Sequence, residues 1–230
     1  MSGILYGVGV GPGDPELMTL KAVRLIKENN IVAFPGERPR ETTAYRIAVA
    51  AVPELADKQL IPVHMPMTRD KEVQGKCHRE NAEMLEILLK EGNNIIFLTL
   101  GDPAIYSTFT YIQQIVEKDG FRTQLISGVP SFCAAAATVD VPLAVGNEQI
   151  HIVPAVQGMK ESFSDSGTYV LMKAGSKMKE IKELIKKSGR SAVMVENCGM
   201  KEEQVYFQVA DMPDAAGYYS LIISKETGEL

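Results

Sequence analysis

The run Asn94–Phe109, NIIFLTLGDPAIYSTF, constrains the fold more than any other stretch. Residues 95–100 form a short, nearly continuous apolar run rich in β-branched and aromatic side chains. Gly92-Asn93-Asn94 precedes it and Gly101-Asp102-Pro103 follows it. A segment of that length between turn residues reads as a buried strand of a parallel sheet covered on both faces. Its exit leads to Tyr106, Ser107 and Thr108, three hydroxyls opening an amphipathic stretch. Ligands of open α/β sheets bind beyond the carboxyl ends of the strands, which makes this exit a candidate wall of a cofactor site. Gly-Asp-Pro is also ordinary turn chemistry, and on these residues alone the two readings stand level.

The rest of the first half alternates short strands with helical stretches, the signature of βαβ units. Strands are expected over 4–10, 30–34, 59–63 and 124–126. The loop 11–15 is followed by a helix expected from Glu16, with Leu17, Leu20, Val23 and Ile26 at helical spacing. Further helices are expected over 42–52, 71–91 and 112–118. Gly7, Gly9, Gly11 and Gly13 mimic a dinucleotide fingerprint but fail it, because Asp14 stands at the third-glycine position and Pro12 stiffens the turn. A glycine-rich ligand loop of another kind is the reading favoured over a plain tight turn. Ser131 reads as an N-cap ahead of an alanine run, and 140–147 as a linker.

The second half changes character. Strands are expected over 149–154, 167–173, 191–196, 204–208 and 218–224, with helices weakly over 156–163 and clearly over 177–187. Late strands without intervening helices imply a mixed sheet. The lysines of 177–187 read as a solvated helix face.

Several function classes are disfavoured. A net charge of −5 argues against non-specific nucleic-acid binding. No apolar run reaches the roughly 18 residues of a membrane span, and the amino terminus lacks a basic leader region. Cys77, Cys133 and Cys198 form no CxxC pair, so neither a disulfide framework nor a zinc site is expected, and a cytoplasmic location follows. His64 and His78 read as surface or cap residues, since no third ligand lies at a metal-site spacing. Cys133 reads as a small buried residue without a histidine to activate it.

Taken in order, Val8–Asp14 with Leu17 and Thr19, Gly101-Asp102-Pro103 with Tyr106, Gly128–Ser131, Tyr169–Lys173, and Val195–Gly199 with Gln204 resemble the tetrapyrrole (corrin/porphyrin) methylases over essentially the whole chain. Pro66–Asp70, Thr99–Thr108 and Tyr218–Ile223 look most like the subgroup that methylates C-20 of precorrin-2 or cobalt-precorrin-2 in cobalamin biosynthesis. The departure is the loop Pro35–Arg40, where that subgroup usually has Pro-Lys; the basic role is expected to pass to Arg38 and Arg40.

The resemblance implies a two-domain α/β fold, with a parallel-sheet domain over 1–142 and a mixed-sheet domain over 143–230 and a cleft between them. It implies a homodimer that takes S-adenosylmethionine as methyl donor and a reduced tetrapyrrole as acceptor. Carried over residue by residue, the donor contacts are Pro12, Gly101, Asp102, Ile105, Ser131, Phe132, Met172 and Asn197. Asp14, Arg38, Arg40 and Tyr106 are the expected substrate residues, and no residue is assigned as catalytic. The alternatives are a methylase of another corrinoid carbon, a diphthine synthase-like enzyme, or a non-catalytic module that binds the donor. The metal state of the substrate stays open.

Overall fold

A computed structural model describes residues 2–66, 68, 70–154, 163 and 165–228. The chain divides into two compact units, Met1–Pro130 and Ser131–Leu230. The division falls ahead of the 142/143 boundary drawn from the sequence. The stretch 140–147, expected as a linker, lies within the second unit.

The first unit is built on five parallel strands: β1 (Ile4–Gly9), β2 (Ile31–Pro35), β3 (Gln59–Val63), β4 (Ile95–Thr99) and β5 (Arg122–Ile126). Their order across the sheet is β3-β2-β4-β1-β5. Helices α1 (Leu20–Glu28), α2 (Thr43–Ala51), α3 (Lys71–Lys90) and α4 (Phe109–Lys118) connect them. β4 is the central strand, and all five of its residues are buried. Strand alternation sends Ile96 and Leu98 to the core shared with α1 and α2, and Ile95 and Phe97 to the core shared with α3 and α4. Both faces are therefore apolar, as a parallel sheet requires.

The helix expected from Glu16 starts later. Asp14 caps a short 3-10 turn, Pro15–Leu17, and extended Thr19 then caps α1 by accepting from Ala22 N. That restart changes which face is buried: Ala22, Leu25 and Ile26 pack inward while Leu20 stands 89% exposed.

The second unit opens with α5 (Ser131–Thr138) and continues as β6 (Ile150–Pro154), β7 (Thr168–Met172), α6 (Met178–Ser188), β8 (Ser191–Glu196), β9 (Gln204–Tyr206) and β10 (Ser220–Lys225). Ser131 is the first helical residue of α5. The sheet order is β6-β7-β10-β8-β9; β6 runs parallel to β7, and the remaining pairs are antiparallel. This is the mixed sheet expected from the sequence. The helix expected over 156–163 falls almost wholly outside the described residues. Two expectations fail here. Cys133 is exposed, and it is Cys198 that is buried, because the small residues that pack from α5 are Ala134, Ala135 and Ala136. Lys182 is not part of a solvated face: its Nζ donates to Met212 O and to Asp214, and its side chain is only 14% exposed.

One carboxyl works against the core. Glu86 of α3 is buried, with Oε1 lacking a partner. Burial, and then the neighbouring Asp119 carboxylate, push its pKa above the usual range, while the hydrogen bond from Arg79 holds Asp119 below its own. A raised carboxyl pKa means that the folded state holds the proton more tightly, so ionised Glu86 destabilises at neutral pH and the penalty fades as pH falls to the ordinary Glu range. Glu86→Gln should therefore raise the thermal midpoint at pH 7, with the gain vanishing near pH ~4. A lower midpoint at pH 7 would contradict this account.

Candidate active site

The strand order places the crevice. The chain leaves β1 through α1, which packs on one face of the sheet, and leaves β4 through α4, which packs on the other. Adjacent strands whose connections depart in opposite directions leave a gap beyond their carboxyl ends, which is where open α/β sheets bind ligands. β1 and β4 are one such pair.

The backbone closes the floor of this gap. Gly11 and Gly101 exchange hydrogen bonds, Gly101 N donating to Gly11 O at 2.8 Å and Gly11 N to Gly101 O at 3.3 Å. Both sit at positive φ, +78° and +68°, a conformation that costs other residues steric strain. A Cβ on Gly9 would lie 2.3 Å from Gly101 O, and one on Gly128 would lie 2.2 Å from the same oxygen. The exits of β1, β4 and β5 are thus packed backbone to backbone.

Asp102 locks the arrangement. Its Oδ1 accepts from Ala104 N at 2.7 Å and its Oδ2 from Gly128 N at 3.0 Å, so the carboxylate ties the β4 exit to the β5 exit. Asp14 is likewise engaged as a cap, accepting from Glu16 N at 2.8 Å. Ser107 Oγ lies 3.0 Å from Thr99 Oγ1 and accepts from Phe109 N. Pro12 is buried beside this floor, Ile105 is half-buried, and Tyr106 is 48% exposed at φ +49°. The structure therefore gathers Pro12, Asp14, Gly101, Asp102, Ile105 and Tyr106 on the loops beyond β1 and β4.

The basic loop lies elsewhere on the same sheet edge, beyond β2, and its two arginines differ. Arg38 is exposed and, among the described residues, pairs with Glu41 at 3.1 Å. Arg40 is committed to the fold: Nη1 donates to the Tyr45 hydroxyl, Nη2 donates to Ala56 O, and the guanidinium lies over the Tyr45 ring.

In the second unit, β7 and β8 are both antiparallel to β10, so their carboxyl ends share one edge. Met172 ends β7, and Lys173 follows at φ +59°; Asn197 follows β8 at φ +54° and donates from Nδ2 to Glu202 O. Non-glycine residues rarely adopt such angles, and they concentrate at functional sites. Ser131 and Phe132 open α5 at the start of this unit. Sequence reading did not single out Lys173 as a site residue; no composition or spacing signal marks a strained lysine.

The profile of the tetrapyrrole (corrin/porphyrin) methylases matches residues 4–213. The chain belongs to this family. Among curated methylases, it is 30% identical to the probable cobalt-precorrin-2 C(20)-methyltransferase of Methanocaldococcus jannaschii, over 96% of this chain and 95% of the other. It is 26% identical to the cobalt-precorrin-2 C(20)-methyltransferase of Salmonella typhimurium, over 100% and 99%. Among solved structures of the family fold, a cobalt precorrin-4 methyltransferase superposes with a TM-score of 0.76 at 18% identity, covering 96% of this chain and 94% of that one. The uroporphyrin-III C-methyltransferase of Thermus thermophilus, complexed with S-adenosyl homocysteine, gives 0.72 at 21% identity over 97% and 98%. At those identities the structures establish the methylase fold.

The loop tie is testable. Asn at position 102 keeps one acceptor but presents an amide donor to one of the two N–H groups. Asp102→Asn should lower the unfolding free energy by about 1.5–3 kcal/mol, the value of a hydrogen bond to a charged group. Urea unfolding measures it; an unchanged free energy would show that the carboxylate does not hold the loops.

Proposed function

We propose that this methylase transfers the methyl group of S-adenosylmethionine to C-20 of precorrin-2 or cobalt-precorrin-2, a step of cobalamin biosynthesis. The observation that carries the reading is the near full-length match to the archaeal C(20)-methyltransferase, at 30% identity over 96% of this chain. The first unit's chemistry supports it. The loops 10–19, 101–108 and 127–130, which follow β1, β4 and β5, hold Asp14, Glu16 and Asp102 and no Lys or Arg. A polyphosphate would find no counter-charge there, whereas a sulfonium, itself a cation, suits acidic and neutral walls.

When bound, S-adenosylmethionine supplies an electrophilic methyl group, and the acceptor is an electron-rich carbon. The protein's task is then alignment and exclusion of water rather than acid–base chemistry. The rigid exits of β1 and β4 provide a fixed surface for the donor, with Pro12, Gly101, Asp102 and Ile105 as its contacts, Asp102 acting through the loop it holds. Ser131, Phe132, Met172 and Asn197 of the second unit are proposed donor contacts on the family resemblance alone. Asp14, Tyr106 and Arg38 are proposed to serve the tetrapyrrole, and Arg40 to serve by fixing the loop that carries Arg38. A homodimer is the proposed assembly. A cytoplasmic location is proposed; among the described residues no helix is long and apolar enough to cross a membrane.

A covalent relay through cysteine finds no support. Burial raises the pKa of Cys198 above the usual thiol range, and partial desolvation of the exposed Cys133 raises its pKa in the same direction, which keeps both protonated and poorly nucleophilic.

Incubation with S-adenosylmethionine and either metal-free or cobalt-loaded precorrin-2 should yield a singly methylated product, with the new methyl located at C-20 by NMR. Methylation at another carbon, or none of either tetrapyrrole by a protein that binds the donor, would overturn the reading. Arg38→Ala should raise the KM for tetrapyrrole about tenfold, the loss of one charge-assisted contact, and leave donor affinity unchanged.

A further inference from the structure

Among the described residues, Tyr106 is the one aromatic of the four non-glycine residues at positive φ, at +49°. A bulky side chain gains nothing from that conformation, and it persists only where the surroundings over-determine the backbone. Both sides of Tyr106 are fixed. Ahead of it, Asp102 Oδ1 accepts from Ala104 N, and Ile105 N donates to Asp102 O at 3.2 Å, closing a turn. Behind it, Ser107 Oγ accepts from Phe109 N at 3.2 Å and lies 3.0 Å from Thr99 Oγ1. Thr99 is the last residue of β4 and is buried. Phe109 is fully buried, and a Cβ on Gly7 would lie 2.3 Å from its Cε1, so the start of α4 is pinned to the sheet.

The Ser107 hydroxyl therefore serves twice. It meets an N–H at the start of α4, where a helix leaves its first donors unpaired. It also ties the loop back to the strand that the chain left eight residues earlier. Capping requires only the first of these bonds. The second satisfies a buried hydroxyl and fixes where the chain turns between β4 and α4. Tyr106 stands at that turn, with its side chain about half exposed beside the crevice.

We propose that Ser107 is the positioning residue for Tyr106: its bond to Thr99 holds the tyrosine in the strained conformation, and so aims the ring at the tetrapyrrole. The proposal rests on the function above, in which Tyr106 serves the tetrapyrrole, and deepens it by naming what orients that side chain. Ser107 makes no contact with substrate itself. Methyl transfer is an in-line displacement, so a misdirected ring slows the reaction by misaligning the acceptor carbon and leaves the donor's own binding alone.

The test is a double-mutant cycle on turnover, with saturating S-adenosylmethionine and whichever form of precorrin-2 the wild type methylates. Ser107→Ala should lower kcat about tenfold, with donor affinity by calorimetry unchanged. Ser107→Thr keeps the hydroxyl and should restore most of the rate. Tyr106→Ala should lower kcat at least as far, and adding Ser107→Ala to it should cost nothing more. Equal losses in the two backgrounds, or a Ser107→Thr variant as slow as Ser107→Ala, overturn the proposal and leave the proposed function standing. Full activity of Tyr106→Ala does the same. A wild type that binds the donor and methylates neither form overturns both. Should Ser107→Ala not fold, Thr99→Val removes the same bond from the strand side at nearly constant volume, and the cycle is read with it instead.

Discussion

The paired hydrogen bonds between Gly11 and Gly101 set the geometry on which the first unit's site depends. They join the exits of two neighbouring strands whose chains then pass to opposite faces of the sheet, so the floor between those exits is held shut by backbone. Each glycine is at positive φ, and the bridge leaves almost no room beside it for a Cβ at Gly9 or Gly128. A floor made of main chain cannot change rotamer. That rigidity suits a reaction whose rate depends on aligning two reactants rather than on proton transfer.

Asp102 extends the same logic from two strands to three. In water a carboxylate is easily solvated; here it accepts from two backbone N–H groups on separate loops, and charge-assisted bonds of this kind are about twice as strong as neutral ones. The strain tolerated at Tyr106 beyond β4 in the first unit, and at Lys173 and Asn197 beyond β7 and β8 in the second, is carried by strands that are otherwise regular and well buried. Three of the four non-glycine residues at positive φ among the described residues thus sit just past the carboxyl ends of strands, where the adjoining strands over-determine their starting points; the fourth, Asp140, follows α5.

Neighbouring residues of one type divide their labour according to what faces them. Arg38 projects from its loop with one exposed glutamate as partner, while Arg40 is fastened by a tyrosine hydroxyl, a ring face and a backbone carbonyl. His64 is braced by Asn81 and Glu37, whereas His78 stacks on the Tyr111 ring and its pKa is lowered by burial. Within each pair, the residue type is identical.

The sequence by itself determined the elements and the class. β3 and β8 lie where apolar and β-branched runs between turn residues predict them, and the all-buried β4 follows from its unbroken apolar run, because burial on both faces leaves a direct mark on composition. The ordered motifs also identified the methylase family. What the sequence left undecided were features that depend on contacts between residues far apart along the chain. The start of α1 moved to Thr19, whose hydroxyl accepts from Ala22 N and donates to Ser127 O, 108 residues away. The partners of Asp102, Arg40 and His64 lie 26, 16 and 17 residues away at Gly128, Ala56 and Asn81. Periodicity reports the local environment of a backbone, a strand face or a helix stripe. It carries no record of which distant atom a carboxylate, guanidinium or backbone carbonyl will meet, and only the folded chain decides that.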